Sequence, residues 1–393
     1  MSATRPSNSP RFATDATLSG GPQVGLSTRL SPGAGTLAQG FWKGRKLPGR
    51  AFSYIVGVLG DWANYTDQRQ SSMIALNWPE RVTSAALFSP PAANSLTALA
   101  ALDTGNSGIY LYSLSVSKDI VRSVDGGLSW PTVTNLTNGS TTKPEIAAGL
   151  IDGAPGLIAN STTTNNVKSV DFGATWTGAF PSIGANAVPC YSPTLNCWVM
   201  CGSASFDCRP ATGAALSGAP GATSVPAAWF TNSGGCKRVV WGNGLYVAIP
   251  VNSYNKFLTS PDGITWTERT VTGGVWTGLA YSATDGLWMA SSSGSGLMVS
   301  ADGITWTLQN TAQGANDLAC QGSLWIMTTA SAGYGGLAFS ADKGLTWTRG
   351  PNVGNHSAAT AGWMRIIAAD RRFIVAHQTG ATNTEFQMSL RAN

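Results

Sequence analysis

Ser260-Pro261-Asp262-Gly263-Ile264-Thr265-Trp266 and Ser300-Ala301-Asp302-Gly303-Ile304-Thr305-Trp306 are one motif written twice, forty residues apart. Three more copies lie in the chain: Ser123-Val124-Asp125 running to Trp130, Ser169-Val170-Asp171 running to Trp176, and Ser340-Ala341-Asp342 running to Trp347. Each passes from Ser-x-Asp through a glycine to Ser or Thr followed by Trp, and each follows a short run that reads as a strand. An Asp carboxylate accepts hydrogen bonds from turn amides, and glycine supplies a backbone conformation costly for other residues. The Thr and Trp suit the start of a returning strand, where β-branched and aromatic side chains fit a pleated, half-buried surface. The motif is therefore a hairpin turn, repeated. Periods near forty are those of propeller blades. Ser123 to Ser169 is forty-six residues and Ser169 to Ser260 ninety-one, two periods. One blade with a degraded turn is expected in that gap, over Asp207 to Trp229, with Trp229 as the surviving aromatic.

These five turns resemble the Asp-box, or bacterial neuraminidase repeat, of sialidase-like β-propellers. The resemblance implies an Asp-box β-propeller; with the blades counted by period and the front read from its composition and apolar stripe, the expected fold is an all-β, seven-bladed Asp-box β-propeller with an N-terminal extended arm and short helix. It also implies structural roles for Asp125, Asp171, Asp262, Asp302 and Asp342, and for Trp130, Trp176, Trp266, Trp306 and Trp347, in turns joining the two outer strands of a blade. At the C-terminal end, Met364 to Ala369, Phe373 to His377 and Glu385 to Leu390 supply three strands where a blade needs four. An unpaired sheet edge invites aggregation. Residues 73–83, with Trp78 where a box Trp would stand, are expected to provide the fourth and close the ring, so that 1–72 and 73–393 form two parts.

Charged residues are 11% of the chain against roughly 25% in an average protein. Gly, Ser, Thr and Asn are abundant, the profile of a turn-rich β protein. Basic residues concentrate at the front: Arg5, Arg11, Arg29, Lys43, Arg45, Lys46 and Arg50 face a single acid, Asp15, within residues 1–50. They are scattered rather than clustered with aromatics, which argues against nucleic acid and for a solvated arm or one docking on an acidic surface. Met1 to Gly20 has no apolar core of signal-peptide length, and no stretch reaches the ~20 apolar residues of a membrane span. Of six cysteines, Cys190, Cys197, Cys201, Cys208 and Cys236 crowd the gap blade and Cys320 stands apart. Buried thiols, disulfides and a metal site are the three readings, and the spacing lacks the paired C-x-x-C of structural zinc.

From Ala51 to Gln68, Phe52, Ile55, Val56, Leu59 and Trp62 fall on one helical stripe, interrupted by Gly57 and Gly60. A short amphipathic helix is expected, with a strand over Ala51 to Leu59 as the competing reading. The segment is similar to the front of many tailed-bacteriophage tail and fibre proteins, on Pro48, Ala51, Tyr54, Leu59, Trp62, Tyr65 and Gln68. That likeness implies a structural virion protein made in the host cytoplasm. Residues 1–70 would anchor it to other virion proteins, as a trimer or hexamer, with the propeller displayed outward.

The sialidase likeness transfers architecture, not activity. Sialidases hold the substrate carboxylate with three arginines and use a Tyr-Glu nucleophile pair with an Asp acid; their Arg-Ile-Pro opening is absent, and Arg365-Ile366-Ile367 is the nearest string. His356 and His377 are the only histidines, in no hydrolase or metal pattern. Asp152, Asp285 and Asp370 stand where turn-forming roles are the default. No enzyme activity, cofactor or metal is expected, with a sialidase-like carbohydrate-active enzyme or a surface adhesion propeller as alternatives. Loops opposite the boxes offer amides, hydroxyls and aromatics suited to host glycan, and Asn165, Asn166, Tyr254, Asn255, Lys256 and Tyr334 are the candidates.

Overall fold

The computed structural model describes residues 96–391 apart from 105–108, 116–118, 126–129, 137–144, 161–164, 182–186, 218–220, 222, 295, 311–313, 330–336, 350–364, 370–371 and 380–382. These fall in one unit, Glu80–Ala392. The basic arm, the stripe residues Phe52, Ile55, Val56, Leu59 and Trp62, and the closing strand 73–83 lie outside the described residues.

The described residues form seven antiparallel sheets in sequence order. The first holds β1 (Leu96–Asp103), β2 (Ile109–Ser115), β3 (Asp119–Ser123) and β4 (Thr132–Asn135). The second holds β5 (Ile146–Ile151), β6 (Ala154–Asn160), β7 (Asn165–Ser169) and β8 (Thr177–Pro181). The third has β9 (Val188–Ser192), β10 (Cys197–Cys201) and β11 (Phe206–Pro210). Three four-stranded sheets follow: β12 (Cys236–Gly242), β13 (Leu245–Pro250), β14 (Lys256–Ser260) and β15 (Thr267–Thr270); then β16 (Trp276–Ser282), β17 (Leu287–Ser292), β18 (Leu297–Ser300) and β19 (Thr307–Asn310); then β20 (Asp317–Gln321), β21 (Leu324–Thr328), β22 (Leu337–Ser340) and β23 (Thr348–Arg349). The seventh has β24 (Arg365–Ala369), β25 (Arg372–Thr379) and β26 (Asn383–Arg391). First strands touch one another in the order β1, β5, β9, β12, β16, β20, β24 and back to β1, so the sheets form a closed ring with these strands innermost. This is a β-propeller.

Each sheet packs face to face on the next, which is why second strands such as β10 and β21 are buried along their whole length instead of alternating. Trp198, Tyr246, Trp288 and Trp325 each stand second in the second strand of their sheet and are fully buried. The repeat turns add contacts between sheets. Trp266 meets Phe206 of the preceding sheet edge-on at 5.0 Å, and Trp306 meets Phe257 the same way at 5.0 Å. Gly263 has φ 75°, and a Cβ there would lie 2.7 Å from Val199 and 2.8 Å from Cys208 of the preceding sheet. Left-handed backbone and close approach both demand glycine at that position.

The gap sheet departs from the sequence expectation. Asp207 lies within β11, fully buried and paired with Arg209 at 2.7 Å, rather than in a turn. The chain then forms α1 (Gly213–Ser217) and α2 (Ala227–Ser233) in place of a returning strand. Trp229 is buried on α2 against Tyr254, centroids 5.8 Å apart, not on an outer strand. The cause is visible in residues 211–235, which carry no Ser-x-Asp-x-Gly turn. Ser224 instead donates its N–H to Ile264 O at 2.8 Å and accepts from Trp266 N at 2.8 Å, so this segment leans on the next sheet's turn.

Candidate functional site

Four charged side chains meet where the innermost strands begin. Glu145 immediately precedes β5, Arg238 is third in β12, and Asp317 and Arg365 open β20 and β24. Arg238 Nη1 donates to Glu145 Oε2 at 3.2 Å and Nη2 to Asp317 Oδ2 at 2.6 Å. Arg365 Nη2 donates to Glu145 Oε1, and its Nη1 lies 4.0 Å from Asp317 Oδ2. Arginines and carboxylates thus alternate, and except for the Arg365–Asp317 contact between neighbouring sheets, each contact skips at least one sheet of the ring. Arg238 ties the fourth sheet to the second and sixth; Arg365 ties the seventh to the second.

Backbone groups finish the cluster. Asp317 Oδ1 accepts from Leu318 N at 3.0 Å and Oδ2 from Ile366 N at 3.3 Å. Glu145 N donates to Asn160 Oδ1 at 2.8 Å, and Asn160 Nδ2 reaches Ala187 O at 3.1 Å, locking the second-to-third sheet junction. Burial pushes the Asp317 carboxyl above its usual pKa, with Arg238 pulling the other way. Burial also works against the Arg238 charge, but Asp317 and Glu145 together outweigh it and hold its pKa above the ordinary value.

A cavity of about 180 Å³ opens beside the cluster, and the first strand of every sheet contributes to its wall, including Leu99, Val188, Leu279 and Ile367. Ligand pockets for drug-sized molecules run from about 300 Å³ upward, so the space between the described strands suits a few waters or one small molecule. Arg238 and Arg365 occupy the space between the two carboxyls.

The antiparallel order separates the ring's two ends. Second-to-third-strand connections share an end with this cluster, and the repeat turns, joining third to fourth strands, lie at the other. In those turns Ser260 Oγ donates to Asp262 Oδ1 at 2.9 Å, which also accepts from Ile264 N and Thr265 N, each at 2.8 Å. Asp302 repeats this with Ser300, Ile304 and Thr305. Trp266 and Trp306 lie one residue before their strands, each donating Nε1–H to the turn glycine's carbonyl at 3.0 Å. The turns at Asp171 and Asp342 hold one more residue, and there Thr175 and Thr346 give both N–H and Oγ to the carboxylate. Trp176 and Trp347 donate to Gly173 O and Gly344 O. Ser123 Oγ donates to Asp125 at 2.7 Å, and Trp130 is buried.

The glycan candidates divide. Tyr254 Oη donates to Glu268 Oε1 at 3.3 Å and Lys256 Nζ to Glu268 Oε2 at 2.7 Å, so Glu268 brings those two together, with exposed Asn255 between them. Asn166 is buried and donates its amide to Phe180 O at 3.3 Å. Asn165 opens β7, and Tyr334 lies outside the described residues. Asp152 and Asp285 stand in turns: Asp152 accepts from Gly213 N, and Asp285 from Ser323 Oγ and Trp325 Nε1 of the next sheet. All six cysteines are free thiols. Among the described residues no helix is long and apolar enough to cross a membrane, and no group of three or more His, Cys, Asp or Glu is placed to hold a metal.

Sequence reasoning missed the central four. A usable signal existed: in a chain only 11% charged, Glu145, Arg238, Asp317 and Arg365 each stand at the head of an apolar run, Ile-Ala-Ala, Val-Val, Leu-Ala and Ile-Ile.

No protein-family profile matches the sequence, and no curated protein matches it. Solved structures do. YCF48 from Cyanidioschyzon merolae is similar at 16% identity and TM-score 0.53, covering 77% of this chain and 98% of its own. YCF48 bound to D1 peptide is similar at 12% identity and TM-score 0.56, covering 81% of this chain and 100% of its own. The GH74 xyloglucanase from Xanthomonas campestris reaches TM-score 0.50 at 17% identity, covering 76% of this chain and 44% of its own. At such identities the likeness concerns the propeller fold alone.

Proposed function

We propose that this chain is a structural virion protein of a tailed bacteriophage, with residues 1–70 as its anchor and the propeller as a non-catalytic body displayed outward. The observation that carries the non-catalytic part is the placement of Arg238 and Arg365 between Glu145 and Asp317. A retaining glycosidase sets two carboxyls about 5 Å apart with the sugar between them. Here guanidinium groups fill that place, and a substrate would first have to break ion pairs that brace the ring. The five Ser-x-Asp turns, read as Asp-boxes, then serve the architecture alone. The virion part rests on the basic front and on the apolar stripe from Phe52 to Trp62, too small to form a core by itself and suited to burial against copies of the chain or another virion protein. A trimer suits a fibre and a hexamer a tail-tube tip. Host glycan would meet the end that carries Tyr254, Asn255 and Lys256.

Purified particles from the source provide the test. Mass spectrometry should find the full-length chain in particles and a chain lacking residues 1–70 excluded from them. Absence of the full-length chain removes the virion reading; equal incorporation of the shortened one removes the anchor. Turnover of a fluorogenic glycoside that is abolished in Glu145→Gln or Asp317→Asn would favour an enzyme instead.

A further inference from the structure

We propose that Cys197 and Cys208 form a peroxide-oxidisable dithiol that closes to a disulfide across β10 and β11. The pairing sets Val199 opposite Cys208 and Pro210 opposite Cys197, so the two cysteines are diagonal neighbours on one face of the third sheet. Their sulfurs are 3.8 Å apart. A disulfide bond is about 2.05 Å long, so side-chain rotation at both positions with a small strand shift has to close less than about 2 Å. Both thiols look across to the fourth sheet. Tyr246 Oη lies 3.3 Å from Cys197 Sγ, and Cys208 Sγ is 3.5 Å from Asp262 O.

The two sulfurs have different parts to play. Cys197 is buried, the Cys208 thiol donates to its sulfur, and the Tyr246 hydroxyl lies between that sulfur at 3.3 Å and the Cys197 carbonyl, to which it donates at 3.4 Å. The Cys208 hydrogen bond lowers its pKa to about 7, burial opposes this, and Tyr246 adds to it. Cys208 is partly exposed, and donating to Cys197 together with burial raises its own pKa above the thiol range. Burial pushes Cys190 and Cys320 up to about 12, and burial together with a hydrogen bond to Cys236 holds Cys201 well above its usual value. Thiolate fraction and access set susceptibility to oxidation. Peroxide, hardly larger than water, suits a thiolate reached past a partly exposed neighbour.

The chemistry balances in two steps. The Cys197 thiolate attacks one peroxide oxygen, the O–O bond breaks, and hydroxide leaves and is protonated, giving a sulfenic acid and water. The Cys208 sulfur then attacks the sulfenic sulfur, the S–O bond breaks, and the hydroxyl leaves with the Cys208 proton as a second water. Two thiols lose two electrons and peroxide gains them. Cys208 is drawn off the Asp262 carbonyl, loosening the third sheet's contact with its neighbour's repeat turn.

Full-length protein, reduced, freed of reductant and treated with equimolar hydrogen peroxide, tests this by differential alkylation and peptide mass spectrometry. Cys197 and Cys208 should lose alkylation together and appear in one cross-linked species, while the other four cysteines stay labelled. In Cys208→Ser, Cys197 should be trapped by dimedone as the sulfenic acid; in Cys197→Ser, Cys208 should stay reduced. Tyr246→Phe, which leaves both sulfurs and removes the hydroxyl 3.3 Å from Cys197 Sγ, should slow the loss severalfold, and melting curves show which variants fold. Retention of both labels at peroxide levels that oxidise an exposed control thiol, or earlier oxidation of Cys190, Cys201, Cys236 or Cys320, would overturn the assignment.

Discussion

The rim and the hub of this ring are built on opposite plans. At the rim, one turn recurs, and its bonds close locally: Ser260, Ile264 and Thr265 all donate to Asp262 Oδ1 within seven residues of chain. At the hub, no element recurs. Glu145 and Arg365 are 220 residues apart, and Arg238 and Asp317 are 79 apart, yet they share one network. A local, repeated device can lose one copy with local damage. A unique, long-range device cannot.

That contrast sets the largest expected effect. Arg238→Met leaves Glu145 and Asp317 with less compensation where both are buried, and removing one partner of a buried pair costs about 3–5 kcal/mol. Because Arg238 keeps 18% of its side chain exposed, the lower end, about 3 kcal/mol, is expected in urea unfolding. Replacing all four hub residues by apolar ones of similar volume should cost far less than Arg238→Met alone, since pair and desolvation penalty leave together. If the single variant unfolds at the wild-type midpoint, the hub is not a brace.

One step down, Asp302→Ala removes a rim carboxylate that accepts from Ser300, Ile304 and Thr305. The two backbone donors are exposed and the buried Ser300 keeps its bond with Gly303 N, so a loss of about 1 kcal/mol is expected. The same change at Asp262 should cost more, because Ser224 has attached the α1–α2 segment to that turn. Equal costs would mean that the segment draws no support from it.

The two regions also differ in what a reader of the sequence can recover. The rim motif was legible because its hydrogen bonds close within the motif, so the chemistry needs Ser, Asp, Gly, Thr and Trp at fixed spacing. Five copies then expose the period, and the strands at Phe373 to His377 and Glu385 to Leu390 fit the blade it implies. The third sheet misleads for the same reason: with no turn to read, spacing places Trp229 on an outer strand, whereas Gly213–Ser217 and Ala227–Ser233 are helical and Ser224 rests on the neighbouring sheet. Hub residues carry only a faint local signature, a charge at the head of an apolar run. Arg365 was legible as part of an Arg-Ile-Ile string, but its partner Glu145 is fixed by ring closure, which only the folded chain supplies.

Titration should split rim from hub by sign. Burial raises the rim carboxyls, but bonds from Thr and Ser outweigh it, so Asp171, Asp262, Asp302 and Asp342 sit below their usual pKa. Their stabilisation is present above the unfolded-state value, about 3.9 for Asp, and is lost as pH falls through the lower folded values. Asp317 is raised, chiefly by burial, so its contribution is fullest at low pH and declines as pH climbs from the unfolded value through the folded one. Asp302→Asn should therefore flatten the acid side of the stability profile, and Asp317→Asn should steepen it. Matching slopes for the two variants would put both carboxyls in one class.

The smallest effect concerns the extra residue in the longer rim turns at Asp171 and Asp342. Lys343 has φ 62° and Phe172 φ 58°, left-handed values that non-glycine residues adopt at a cost of roughly 1–2 kcal/mol. Lys343→Gly removes that strain but adds chain entropy to the unfolded state, an opposing term of about 1 kcal/mol. Lys343 contributes only its carbonyl, which accepts from Gln309 Nε2 at 2.7 Å and survives the change. A net change within about 0.5 kcal/mol is expected, with either sign small. Phe172→Gly relieves the same strain but also deletes a ring that meets Tyr110 edge-on at 5.7 Å, a contact worth about 1 kcal/mol beyond its buried area. Thermal melts should place Phe172→Gly below wild type and Lys343→Gly beside it. Equal losses at the two positions would mean that the side chain in the extra slot is irrelevant and that glycine itself harms the longer turn.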